Sequence, residues 1–153
     1  IKEIIFSLIT LNKFTEKLSA RTVAKGCPNI VQHKKPVNAS AVKRTNNFCF
    51  LENLVKNSID AMKGKGRIIC QSYIKNNHLI INIEDNGSGI PSNRFKTIFK
   101  PGFTTKKRGW GLGLSLASRI VKQYHKGEIF VRGSIPNKKT VISIVLKASK
   151  EAV

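Results

Sequence analysis

The side chains with the most chemistry in this 153-residue chain lie between positions 85 and 114. The stretch opens Asp85-Asn86-Gly87-Ser88-Gly89-Ile90-Pro91. It passes through Thr104-Thr105-Lys106-Lys107-Arg108 and closes Gly109-Trp110-Gly111-Leu112-Gly113-Leu114. One carboxylate among turn-forming glycines can accept from the exocyclic amine of a base. Glycines opening a helix leave free backbone amides and the positive end of its dipole for anions. Cations between the two glycine clusters can meet phosphates. A purine nucleoside triphosphate needs all of these groups.

Asn53 and Asn57 add a second element. Spaced four apart on a helix, they project from one face. Amide oxygens facing a cleft suit Mg²⁺, which takes few protein ligands and completes its shell with phosphates and water. Each signal also has a plain structural reading. Two asparagines can decorate a solvated face, Asp-Asn-Gly-Ser is turn chemistry, and a basic loop can simply be exposed. The glycines at 109, 111 and 113 do not make a dinucleotide fingerprint, because a basic loop rather than a strand precedes them. The phosphate-loop spacing GxxxxGK[ST] is absent as well.

The elements that must position these groups follow from periodicity. Leu51, Leu54, Val55, Ser58, Ile59 and Met62 recur as one buried helix face, behind N-cap candidates Thr45-Asn46-Asn47 and before the stop Gly64-Lys65-Gly66. Asn53, Lys56, Asn57 and Asp60 fall on the other side. Arg67–Tyr73 and Leu79–Glu84 read as strands joined at Asn76-Asn77. The second is apolar almost throughout, as a central strand is. Asp85–Pro91 is a turn, Ser92–Phe99 a short helix capped by Ser92, and Lys100–Arg108 a loop. Leu112–Tyr124 is a second helix, with Gly113, Leu116, Ala117, Ile120, Val121 and Tyr124 on one face. Glu128–Arg132 and Val141–Leu146 are strands joined at Pro136-Asn137. Toward the N-terminus, Ile1 to Leu18 is roughly helical, Gly26-Cys27-Pro28 breaks it, and Val37–Val42 is a candidate strand. Two hairpins with helices between them predict an α+β fold: a two-layer sandwich, with a mixed, mostly antiparallel sheet and helices on one face.

Composition bounds the alternatives. A hydrophobic fraction of 41% fits a globular chain with one domain. The run Ile4-Ile5-Phe6 is far short of the ~20 residues of a membrane span, and no secretory signal is legible. A chain opening on Ile reads as an excised domain. Cys27, Cys49 and Cys70 have no CxxC spacing, so zinc is not expected; reduced, buried thiols in a cytosolic protein are. Twenty-eight Lys and Arg against eight Asp and Glu give a net charge of +20. An anionic partner would explain it, and so would compositional drift. The charges are spread along the chain, which favours drift with a local phosphate site.

In this order the motifs resemble the catalytic, ATP-binding domain of bacterial sensor histidine kinases, in the superfamily shared with gyrase, the heat-shock ATPase chaperones and mismatch-repair MutL. The resemblance covers roughly residues 36–148. Leu51–Met62 is similar to the N box and Asp85–Gly89 to the G1 box. Phe95–Phe103 is similar to the F box and Gly109–Leu114 to the G2 box. The resemblance implies the superfamily's Bergerat sandwich over residues 36–153. Residues 1–35 remain a poorly defined segment, a remnant of a dimerisation helix and linker. It further implies Asn57 as the Mg²⁺ ligand with Asn53 beside it, and Asp85 as the reader of the adenine amine. Gly87, Gly89 and Ile90 would shape the base pocket. Thr104, Thr105, Gly109, Gly111, Leu112 and Gly113 would line the nucleotide site. Thr140 would support the adenine site, and Lys106 would touch phosphate.

The resemblance implies ATP and Mg²⁺ as cofactors and transfer of the γ-phosphoryl to a histidine on a dimerisation domain. A response regulator follows as partner, with a homodimer when intact and a cytoplasmic place, anchored at the inner membrane in the whole protein. ATP-hydrolysing relatives carry a general-base Glu where Asn53 stands. Glu52 is about 100° round the helix from it, which favours transfer over hydrolysis. Two departures stand out. Asn137-Lys138-Lys139 replaces a glycine-rich turn before Thr140, and the phosphoacceptor box is missing: His33, His78 and His125 read as surface histidines. The rivals are an ATPase or serine kinase of the same superfamily, a degenerate binding-only kinase, and a basic nucleic-acid-binding module. No recognition motif supports the last, so nucleic acid is not the expected partner.

Overall fold

The computed structural model describes residues 29–32, 49–105 and 110–147. A five-stranded sheet is covered by helices on one side. In chain order its strands are β1 (Asn29–Gln32), β2 (Arg67–Lys75), β3 (His78–Asp85), β4 (Glu128–Ile135) and β5 (Lys139–Lys147); the helices are α1 (Cys49–Ala61) and α2 (Gly113–Arg119). In space the strands run β1-β2-β3-β5-β4. Only β1 pairs in parallel, with β2; the other three pairings are antiparallel. This is the expected α+β sandwich, with apolar β3 in the centre. Strand β1 lies within residues 1–35, the poorly defined segment expected to be a remnant of a dimerisation helix and linker. The helix expected over Ile1–Leu18 and the strand expected over Val37–Val42 fall outside the described residues.

Alternation along the strands sets the core. Leu79, Ile81 and Ile83 point inward from β3, and Ile142, Ile144 and Leu146 do so from β5; all are at most 6% exposed. They meet Phe50, Leu51, Leu54 and Val55 of α1 and Ala117 and Val121 beyond it. The α1 face expected from periodicity is the buried one. On the outer side of the sheet, Ser143 Oγ donates to Asn82 Oδ1 at 2.7 Å, a cross-strand pair that satisfies two buried polar groups.

The hairpin turns carry their own chemistry. Asn76 and Asn77 both take positive φ, 49° and 60°, the backbone of a two-residue turn that matches strand twist. At the second hairpin Asn137 has φ 58° and supplies the left-handed residue for which a glycine was expected. That departure therefore leaves the turn intact. Cys70 is a free thiol on the core face of β2, and burial pushes it up to about 11.

Three local expectations are corrected. Ser92–Phe99 is two 3₁₀ turns, Ser92–Arg94 and Thr97–Phe99, and Ser92 is no side-chain cap. The second helix is α up to Arg119 and then widens into a π turn over Ile120–Tyr124. Its buried residues are Ala117, Ser118 and Val121, whereas Leu116 and Tyr124 are 46% and 70% exposed. The i, i+3, i+4 series from Leu114 faces the core, and the series through Leu116 faces outward. His125 is half-buried rather than a surface histidine. It meets the Phe50 ring edge-on, 5.7 Å between centroids, and burial lowers its pKa. His78 sits exposed at the start of β3, as expected, paired through Nδ1 with the Asn76 carbonyl oxygen.

Leu54 is fully buried between α1 and the sheet. Leu54→Ala is expected to lower unfolding stability by about 2–5 kcal/mol, read from urea denaturation.

Candidate nucleotide site

The site begins with a parity. Asp85 ends β3 in the same phase as Leu79, Ile81 and Ile83, so the alternation that buries three aliphatic side chains carries a carboxylate under the helices. Asp85 is 5% exposed. Its Oδ2 accepts from Ser58 Oγ on α1 at 2.8 Å, and its Oδ1 accepts from the Gly87 amide at 2.9 Å. Burial raises its pKa and the neighbouring Glu84 adds to the rise; the Gly87 amide and Ser58 hydroxyl oppose it. A carboxylate left with outward lone pairs in such a place is an acceptor waiting for a donor.

Gly87 serves this carboxylate by close approach. A Cβ there would stand 2.8 Å from the Ala61 backbone and 2.9 Å from Asp85 Oδ1. The Ser88 amide bonds the Ala61 carbonyl at 3.0 Å, and the Asn137 amide bonds the Gly87 carbonyl at 2.9 Å. The turn is thus stapled to the end of α1 on one side and to the β4–β5 turn on the other. Gly89 does take positive φ, at 83°.

A lateral row continues the site across the sheet. Asp85 of β3 faces Thr140 of β5, and Thr140 faces Ser134 of β4. Ser134 reaches that row through a bulge between Val131 and Gly133, without which Gly133 would oppose Thr140. Its Oγ lies 2.9 Å from Thr140 Oγ1 and accepts from the Ile90 amide at 2.8 Å. Thr140 is 3% exposed, so its hydroxyl is held by the protein rather than by bulk water.

At the other end, α2 comes against α1. A Cβ on Gly113 would lie 3.8 Å from Asn57 Nδ2 and 3.9 Å from Asn53 Oδ1. Asn57 gives Nδ2 back to the Asn53 backbone carbonyl at 2.8 Å, so its oxygen is the atom suited to a hard cation. Gly111 sets the approach: its φ is 64°, and a Cβ there would stand 2.6 Å from Gly102 C. Only glycine lets the chain lie flat on the Gly102–Phe103 turn.

These pieces enclose a cavity of ≈ 1290 Å³, ample beside the ~300–1,000 Å³ of ordinary ligand sites. Of the expected residues, Asn53, Asn57, Asp85, Gly89, Ile90, Thr104, Thr105, Gly111, Leu112, Gly113 and Thr140 line it. Gly87 stands behind Asp85 instead of on the wall. Lys106 and Gly109 lie outside the described residues, as do Lys107 and Arg108. Lys56, Lys63 and Arg94 also line the cavity; sequence reasoning gave them no role there. Ser58 was legible only as part of a buried face, where a polar residue asks for a partner. Ser134 had no sequence signal, because a bulge puts it in place.

Residues 50–150 match the family described as histidine kinase-, DNA gyrase B-, and HSP90-like ATPase. The chain belongs to that family. It is 38% identical over 101 residues to sporulation kinase C of Bacillus subtilis, covering 65% of this chain and 23% of that protein. It is 39% identical over 97 residues to the signal transduction histidine-protein kinase AtoS of Escherichia coli, covering 63% and 16%. Among solved structures it resembles the nucleotide-free catalytic domain of histidine kinase ThkA, at 28% identity and a TM-score of 0.67, over 95% of this chain and 92% of that one. The chain spans less than a quarter of the two kinases' own lengths. The family implies nucleotide binding, and this cavity is the candidate place for it.

Two outcomes follow. Asp85→Asn puts an amide where the acceptor stands and should weaken ADP binding by about 10- to 100-fold, read by calorimetric titration. With its pKa raised, Asp85 is the needed anion only above that pKa. Wild-type ADP affinity should therefore fall as pH drops through that raised pKa. The sign for folding is opposite: the contribution of this carboxyl is complete below its unfolded pKa and is lost as pH rises through the folded one.

Proposed function

We propose that this chain is the ATP-binding catalytic domain of a sensor histidine kinase and passes the ATP γ-phosphoryl to a histidine on a dimerisation domain. The observation that carries this reading is Asn53. It lines the cavity four residues before Asn57, at the position where a hydrolytic site needs a general base. An amide cannot take a proton from water. Glu52 is one residue away on α1 and is absent from the cavity wall. What remains is a site that binds, orients and neutralises, which suffices for phosphoryl transfer to an acceptor brought in line.

In this reading Asp85 accepts from the adenine amine, with Thr140 and Ile90 beside it. Asn57, with Asn53 next to it, offers oxygen to Mg²⁺, whose role is to neutralise charge on the phosphates. The backbone at Gly111 and Gly113, with Thr104 and Thr105, meets the phosphate chain, and Lys106 contributes a cation. The buried Asp85 and the cradle at Gly111 support a nucleotide. The paired asparagine oxygens support a metal held largely by that nucleotide's phosphates. In this reading the acceptor histidine belongs to another domain or chain: His78 is bound to its own turn, His125 packs against Phe50, and His33 lies outside the described residues. A response regulator as final acceptor, a dimer when intact, and a cytoplasmic domain of a membrane-anchored protein complete the proposal. Among the described residues no helix is long and apolar enough to cross a membrane.

The test is to incubate the chain with γ-labelled ATP, Mg²⁺ and a separately prepared histidine-bearing dimerisation domain. Label should move to the acceptor, be acid-labile, and fail to move with Asn57→Ala. Phosphate release without acceptor should stay near background. Brisk release from the chain alone would instead make it an ATPase.

A further inference from the structure

Ser58 occupies an odd position for a helical serine. It sits on the core-facing side of α1 and is 3% exposed. Serines inside helices commonly bond the carbonyl one turn back. This one donates instead to Asp85 Oδ2, 27 residues away, at 2.8 Å, in a bond buried from water. The other carboxylate oxygen takes the Gly87 amide at 2.9 Å. Each oxygen thus has one protein donor, the Ser58 hydroxyl from α1 and the Gly87 amide from the glycine turn. Packing alone does not require the hydroxyl, since Ala fits a core helix position as well and favours the helix more.

We infer that Ser58 is a positioning residue for base choice: by donating to Asp85 it fixes that carboxylate as a pure acceptor, so the site takes a purine bearing an amine there and rejects one bearing a carbonyl. The inference rests on the reading of the cavity as an adenine-nucleotide site. The chemistry of the two purines makes the distinction. Adenine presents an amine at its sixth position, a donor that an ionised carboxylate accepts. Guanine presents a carbonyl oxygen there, and two acceptors face to face repel. A protonated carboxyl would lose that selectivity, because its O–H can donate to the guanine oxygen. Burial works toward the protonated form, and Ser58 and Gly87 work against it. Of these two donors Ser58 alone is a side chain, so it alone can be removed without altering the turn.

The charged groups around the carboxylate do not replace this bond. Lys56, Asp60 and Lys63 of α1 and Arg94 of the first 3₁₀ turn line the cavity. Glu84 precedes Asp85 in β3, pairs with Lys139 at 3.0 Å, and raises the Asp85 pKa rather than lowering it.

The experiment is calorimetric titration of the full chain with ADP and with GDP, from about pH 8 to about pH 5. It compares wild type, Ser58→Ala and Asp85→Asn, with a thermal melt of each. Wild type should bind ADP and discriminate against GDP. Ser58→Ala should stay folded, melting below wild type because a buried carboxyl loses a donor, and lose about tenfold in ADP affinity at neutral pH. Its ADP:GDP ratio should drop, and the pH midpoint for ADP binding should rise. A loss of ADP affinity with an unchanged ratio and midpoint would mean that Ser58 serves packing only, and would overturn the inference. So would a variant indistinguishable from wild type while Asp85→Asn fails to bind; the nucleotide reading would then survive alone. If wild type binds neither nucleotide, the reading and the inference fall together.

Discussion

The structure turns on one buried carboxylate. Strand alternation that is ordinary for Leu79, Ile81 and Ile83 places Asp85 beneath α1, where an anion is costly. The surroundings answer that cost piece by piece. Ser58 reaches down from the helix, Gly87 offers its amide at a distance no side chain would allow, and the Gly87 carbonyl ties back to the β4–β5 turn. The same bonds that keep the carboxylate charged also fix where α1, the glycine turn and the second hairpin meet. Fold and site are therefore joined at a single residue, and a substitution there reaches both.

From that point the site extends in two directions. Across the sheet, a bulge in β4 brings Ser134 into line with Thr140, so that hydroxyls continue the polar floor of the cavity. Along α1, Asn57 and Asn53 meet the start of α2, which Gly111 lays flat on the preceding turn. The first direction is buried and suited to a base; the second is open and suited to phosphates and a cation. Widening into a π turn after Arg119 then lets the chain leave α2 toward β4 while Val121 stays in the core.

Much of this was legible in the sequence, for physical reasons. The α1 face, the two hairpins and the central strand follow from periodicities that a packed sandwich enforces. The motif residues were found because turn glycines, a lone acid and a basic loop in that order serve few other purposes. What escaped was of a different kind. Leu116 and Tyr124 share one apolar face with Ala117 and Val121 in the pattern, but a helix pattern alone cannot say which of two adjacent stripes meets the sheet. Ser92–Phe99 was read as one helix, although it closes as two 3₁₀ turns, a polar one at Ser92–Arg94 and one that buries Ile98. Ser134 depends on a bulge, and β1 on a strand too short to carry a pattern. Gly87 was legible as a turn glycine, and its use is closeness to Asp85 and the end of α1.

The most direct measurement is a crystal structure of the chain with Mg²⁺ and a non-hydrolysable ATP analogue. The account predicts the adenine amine within hydrogen-bond distance of Asp85, the base beside Ile90 and Thr140, and the metal on Asn57 oxygen bridging to phosphate. A nucleotide bound with its base away from Asp85, or with no metal contact to Asn57, would contradict it.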